Sequence, residues 1–288
     1  MLLRAKSERF SKEIPESIAV IDDTFLNNYL VSNIANAISQ IPGVLAVSKN
    51  GGYDPRLIIR GAGLKAPYGV REIMVVRDGV PMTDPDSFTR FDYIDMQDLE
   101  RIEVTKGPGS LLAANSAGGV IQLISKSPLD NQNQRVKFSM DNYDQYGAHM
   151  RGVYNIDEES AVSLTYSAKS SQNSWREHNR YDSNQLSFKY AKNLEGGTVR
   201  SELSYSIVNM ELPTSMTQSE FESFKKSGKQ ENTSAIWQNS ARDSKILFFN
   251  TQYETKIGAL DFKPRIYANG WDHYHPVTGF INDSQDNR

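Results

Sequence analysis

"LERIEVTKGPGSLLAANSAGGVIQLISK" occupies residues 99–126. It passes from an alternating, charged strand pattern through a turn rich in Gly, Ala and Ser into a second, apolar strand pattern. Either this loop cradles a phosphate or it lets the chain reverse tightly inside a larger architecture. The phosphate reading fails on spacing. "TKGPGSL" lacks the G-x-x-x-x-G-K-[ST] order, and "GAGLKAP" at 61–67 is neither a full G-x-G-x-x-G nor flanked by a clear crossover helix. Gly107, Pro108 and Gly109 instead predict a tight turn. Gly118 and Gly119 predict a close backbone approach where "VIQLIS" re-enters a sheet.

The surrounding sequence extends this into a small mixed domain. "TFLNNYLVSNIANAISQIPG" (24–43) places Leu26, Leu30, Ile34, Ala37, Ile38 and Ile41 at helical spacing and closes on Pro42-Gly43, which predicts one amphipathic helix. Strands are expected at 56–61, 72–79, 101–107 and 119–126, joined by turns rich in Gly, Pro and Asp.

Composition excludes several classes. A net charge of -3 over 288 residues offers no basic surface for nucleic acid. With no cysteine there are no disulfides, thiolate metal sites or cysteine nucleophiles. There is no H-E-x-x-H, no G-x-S-x-G and no cysteine, and there are only four histidines, so no catalytic residue is expected. No apolar run approaches the roughly 18 residues of a membrane-spanning helix. The opening "MLLRAKSERF" lacks the apolar core of a signal peptide.

Beyond "SKSPLDNQNQR" (125–135) the rhythm changes to period two. Seven strands are expected, at 135–141, 146–156, 161–169, 184–192, 198–208, 246–257 and 260–271. Short turns such as "NLEGG" alternate with longer polar connections at 170–183 and 213–243. A transmembrane β-barrel alternates in this way, with lipid-facing and lumen-facing residues in turn and long loops on one side only. A soluble β-sandwich also alternates. The barrel reading puts Val136, Phe138, Met140, Leu164, Tyr166, Leu186, Phe188, Tyr190, Leu203, Tyr205, Leu260, Phe262 and Ile266 on the lipid face.

"EIPESIAVID" (13–22), "ISQIPGV" (38–44), "LIIRGAG" (57–63), "MVVRDGVPMTDPD" (74–86) and the opening stretch stand in the order found in the plug of TonB-dependent outer-membrane receptors, which this chain resembles. The stretch 68–86 looks closest to ferric-citrate-type receptors. The resemblance implies an α+β plug domain followed by an antiparallel transmembrane β-barrel, here the N-terminal portion of a roughly 22-stranded plugged barrel. Residues 1–12 then form an extension, 13–128 the plug and 129–288 the first strands of the wall. It further implies uptake of a scarce nutrient across the outer membrane of a Gram-negative bacterium. The partners are TonB of the inner-membrane energy complex, an extracellular small-molecule ligand and outer-membrane lipid. A ferric siderophore is the commonest cargo, so iron would arrive with the ligand rather than as a resident cofactor. Cobalamin, haem, other metal chelates, small organic cofactors and a non-transporting surface receptor are the alternatives. No Ton box is recognisable in residues 1–12.

Site residues follow from the same resemblance. Arg60, Glu103 and Lys106 stand where similar receptors lock plug to wall, although Lys106 replaces the usual Arg; the alternative is solvated strand-end charge. Apical plug loops supply Lys65, Tyr68 and Arg71 as ligand contacts, beside the acidic Asp84 and Asp86. Barrel loops supply Trp175 and Arg176, and Trp271, His273 and His275. The tryptophans fit an interfacial aromatic girdle equally well. "HYH" on a strand sets two imidazoles on one face, but without a third ligand no metal site is expected. Seven strands cannot close the barrel, so the protein is expected to continue beyond Arg288 as a second chain or a missing segment, with 273–288 in an extracellular loop.

Overall fold

The computed structural model describes residues 2–4, 8–10, 17–28, 33–48, 55–65, 70, 72–83, 89, 91, 93–108, 116–142, 144–172, 175–213, 215–230, 238–276 and 284–287. The chain divides into two compact units, Met1–Lys126 and Ser127–Arg288.

In the first unit β1 (Leu2–Arg4) and β2 (Glu8–Phe10) form a hairpin. Then follow β3 (Ser17–Asp22), α1 (Asp23–Asn28), α2 (Ile34–Ile38), β4 (Val44–Ser48), β5 (Pro55–Ile59), β6 (Ile73–Arg77), β7 (Val80–Pro81), a 3-10 turn, β8 (Leu99–Lys106) and β9 (Gly119–Ser125). The main sheet has the order β3-β8-β9-β6-β7, parallel only between β6 and β9, while β4 and β5 pair separately. Ile73, Val75, Ile102, Val104, Ile121 and Leu123 form its core with Leu26, Ile34 and Ile38, all buried.

The helix expected over 24–43 is instead two short helices. Asn33 accepts a bond from the Asn36 amide (3.0 Å) and so starts α2 afresh, which is the local competition that Asn offers to a continuous helix. The apolar spacing still marks the buried positions: Leu26, Ile34, Ala37, Ile38 and Ile41 are all in the core. Leu30 lies outside the described residues.

The glycine turn is architectural. The Gly107 amide donates to the Gly118 carbonyl at 3.1 Å, closing the loop's base. A Cβ on Gly118 would lie 2.2 Å from that of Ala62, and one on Gly119, at φ +152, would lie 2.4 Å from the Thr105 carbonyl oxygen. No side chain fits at either place. Residues 109–115 lie outside the described residues.

The second unit is one antiparallel meander: β10 (Arg135–Met140), β11 (Gln145–Asn155), β12 (Ser160–Ser171), β13 (Tyr181–Leu194), β14 (Gly197–Glu211), β15 (Ala241–Ile257), β16 (Leu260–Phe262), β17 (Arg265–Tyr274) and β18 (Ser284–Asn287), with α3 (Gln218–Ser227) between β14 and β15. Register carries single rows of side chains across it. Gly152, Leu164, Phe188, Leu203, Phe249 and Ala268 stand opposite one another in succession. The large apolar members of that row are exposed. One residue along, Ser163, Lys189, Glu202 and Asn250 form a buried polar row. Of the thirteen residues expected on the apolar outer face, twelve are exposed and Tyr190 is half-buried.

Two expectations for the last strands change. The strand at 260–271 breaks at Lys263-Pro264, because proline has no amide to give the ladder; one bond survives, from the Tyr253 amide to the Pro264 carbonyl (3.0 Å). The segment after Trp271 is not all loop. His273 and Tyr274 pair with Ser244 and Asp243, and 284–287 returns as β18 along the last four residues of β17, covering that part of an edge that would otherwise offer unpaired backbone groups.

Candidate functional site

Turns at 156–159, 195–196 and 258–259 close one end of the meander, whereas the connections at 141–144, 172–180, 212–240 and 275–283 close the other. The barrel candidates collect at the long-loop end, in two groups.

Trp175 and Arg176 lie in the 172–180 connection, which is held by backbone bonds. The Gln230 amide donates to the Trp175 carbonyl at 2.7 Å, and the Glu177 amide donates to the Gln230 carbonyl at 3.0 Å. Arg176 and Gln230 thereby form a one-residue parallel bridge. Against Trp175 lies Phe224 of α3, ring centroids 5.6 Å apart, and Phe224 stacks on Phe221 at 6.4 Å. The Arg176 guanidinium sits 5.9 Å from the Trp175 ring and the Lys225 ammonium 5.3 Å from that of Phe221, both within cation–π range. Burial pushes the Arg176 guanidinium below its ordinary pKa.

α3 was unforeseen, since 213–243 reads as a polar connection. Its signals were nevertheless present in "TQSEFESFKKSG". Thr217 and Glu220 form a reciprocal capping box, and Gly228 closes the helix in the left-handed region, its amide donating to the Phe224 carbonyl at 2.8 Å. The Thr217 amide and then its hydroxyl hold the Glu220 carboxyl below its ordinary pKa. The i, i+3 spacing of Phe221 and Phe224 puts both rings on one face.

Trp271, His273 and His275 make the second group. Alternation sets Trp271 and His273 on the covered polar face of β17, so Trp271 does not belong to an outward aromatic girdle. The rings form a ladder, Trp271 to His273 at 4.8 Å and His273 to His275 at 5.3 Å, with His273 Nδ1 bonded to the Ser244 hydroxyl at 3.1 Å. No set of three metal-ligating side chains occurs among the described residues. The two groups share a scaffold: His178 Nε2 and the Leu212 amide both donate to the Ser240 carbonyl, at 2.7 and 3.0 Å, and the next amide, of Ala241, donates to the Pro276 carbonyl at 3.0 Å.

In the first unit Lys65 is exposed in a turn. Tyr68, Arg71, Asp84 and Asp86 lie outside the described residues. The charges at the proposed lock have contacts within their own unit. Arg60 donates to the Lys106 carbonyl (3.4 Å), Lys106 to the Pro42 carbonyl (3.3 Å), and the buried Glu103 accepts from Arg101 Nε at 2.7 Å.

Residues 11–120 match the family model described as the TonB-dependent receptor plug domain. That match makes the first unit similar to the plug of a TonB-dependent receptor. It is 28% identical over 127 residues to the vitamin B12 transporter BtuB of Vibrio vulnificus, covering 42% of this chain and 20% of that one. It is 26% identical over 158 residues to the ferrioxamine B receptor of Salmonella typhimurium, covering 54% of this chain and 22% of that one. The unliganded ferric citrate transporter FecA shares its fold, with TM-score 0.73 at 16% identity over 92% of this chain and 41% of that chain. The chain thus spans about a fifth of the length of these curated relatives, which are named as a transporter and a receptor. The plug followed by an antiparallel sheet is the architecture of a plugged TonB-dependent barrel.

Proposed function

We propose that this chain is the N-terminal part of a TonB-dependent transporter that imports a ferric siderophore or related iron chelate across the outer membrane of a Gram-negative bacterium. One observation carries the reading: a plug-family unit precedes a meander whose exposed face is apolar and whose covered face is polar, the arrangement of a wall between lipid and a wet, filled lumen. The remainder of the wall belongs to a further segment or chain, TonB supplies the energy, and extracellular ligand arrives at the long-loop end. Iron travels as cargo. Lys65, Tyr68, Arg71, Trp175, Arg176, Trp271, His273 and His275 are the proposed ligand contacts, and Arg60, Glu103 and Lys106 the proposed lock between plug and wall.

The test is growth under iron limitation on a panel of single ferric chelates, in strains lacking the receptor gene or TonB. Growth on at least one chelate should require both. If uptake of cobalamin or haem alone were lost, the cargo assignment would change. Binding that persists while growth never depends on TonB would make the protein a surface receptor instead.

A further inference from the structure

Resting on the transport reading above, we infer that the Trp175–α3 cluster is a recognition site for a planar, anionic aryl group carried by the ligand, such as a catecholate or aromatic carboxylate. The first argument is surface chemistry. Trp175, Phe224 and Phe221 form a continuous aromatic face on a connection at the long-loop end, and Phe221 is 44% exposed. No residue of α3 is buried. These rings therefore do not serve as the core of a packed loop.

Charge is the second argument. Arg176 and Lys225 flank the aromatic face at its two ends. Glu220 caps the start of the helix and Glu222 pairs with Lys225 at 2.7 Å, so Lys226 and Lys229, which follow in sequence, leave this end with an excess of positive charge. A half-buried guanidinium on an indole favours an anion that restores its lost solvation. Flat aryl anions satisfy ring and cation together, whereas an aliphatic polycarboxylate uses the cations only.

A third, independent observation comes from Gln230. The residue is 5% exposed, and neither side-chain Nε2 nor Oε1 has a hydrogen-bond partner. Its backbone is fastened on both sides to Trp175 and Glu177, so the residue is anchored to the connection that carries the aromatic face. A buried amide left unpaired costs free energy, and a ligand offering a phenolate or carboxylate oxygen recovers the share of its N–H donor.

The experiment measures binding to the full-length receptor in nanodiscs of three probes: ferric 2,3-dihydroxybenzoate, iron-free 2,3-dihydroxybenzoate and ferric citrate. Trp175→Ala and Arg176→Gln should each weaken both aryl probes by about fivefold or more, with ferric citrate unchanged; Trp175→Phe should restore most of the loss. Gln230→Leu separates the amide's role from stacking and should weaken the aryl probes with the fold kept. Equal weakening of aryl and citrate probes, or none, overturns the inference. Wild-type binding of ferric citrate without either aryl probe also overturns it and leaves the transport reading standing. Binding of iron-free aryl probe without either ferric probe keeps the aryl site and removes the iron cargo. If no probe binds, both fail.

Discussion

The sheets of the two units invert one another. In the plug, β5 and β6 alternate between buried and half-covered residues, and Leu57, Ile59, Ile73 and Val75 of the buried set are apolar. In the meander the same period of two sends Leu164, Phe188 and Leu203 outward and shelters Lys189, Glu202 and Arg151. One sheet is folded by water expelling its apolar face. The other is matched to surroundings in which the apolar face needs no cover, while backbone groups must still pair along every strand. Alternation alone therefore does not identify the buried side; composition of the two faces does.

The largest test of this contrast is a cavity in the plug. Ile102→Ala removes a fully buried side chain at the centre of β8 and should destabilise the plug by about 2–5 kcal/mol. Accelerated hydrogen exchange along β8 and β9, with the meander unchanged, is the expected reading. Protection equal to wild type would mean that the plug core is not where its burial places it. Next comes a charge on the outer face. Phe188→Arg should cost about 2–4 kcal/mol in bilayer refolding if this row sits near mid-membrane, while Ser187→Arg, one residue away on the polar face, avoids the lipid term. Equal costs at 187 and 188 would erase the distinction between the faces.

A smaller effect is expected on the polar side. Arg200 contacts Glu254 at 2.7 Å and Asp130 at 3.1 Å near the short-turn end, with each partner partly open to solvent. Arg200→Met should cost about 1 kcal/mol or less, and the loss should shrink further in high salt. A loss as large as that at Phe188, measured in the same refolding assay, would show that the polar face is held by its charges rather than by its ladder.

How much of this was legible follows from which interactions are local. Alternation in "RVKFSMD" and "NQLSFKYAK" revealed both faces of the meander, because a strand's two sides are written directly in sequence. The buried positions of 24–43 were legible too, but not the restart at Asn33, where a side-chain bond decides. Pro264 is itself the sequence signal for the break between β16 and β17. At the candidate site Trp175 and Arg176 were visible as residue types, yet their partners Phe224 and Gln230 lie about fifty residues further along the chain and join through backbone bonds that no pattern displays. α3 was readable in principle, since its capping box and closing glycine are short-range signals.

The smallest predicted effect concerns that helix, and it turns on pH. Because α3 buries no residue, its order depends on its own ends more than on packing. Glu220 accepts from the Thr217 amide at 2.6 Å and from its hydroxyl at 2.8 Å, and these bonds depress its pKa in the folded helix. A depressed carboxylate stabilises the folded form above its unfolded pKa of about 4.3, and that contribution disappears as pH falls through the lower, folded value. A peptide spanning 213–230 should therefore lose part of its helical circular dichroism between pH 6 and pH 2.5. Glu220→Gln keeps a reaching side chain but not the charge, and should flatten the profile at lower overall helicity. Glu222 is the other acid of this helix, so Glu222→Gln is the companion variant and should retain the pH response. If the response vanished with Glu222 rather than with Glu220, the capping carboxylate would not be what orders this exposed helix, and the aromatic face it carries would owe its shape to Trp175 instead.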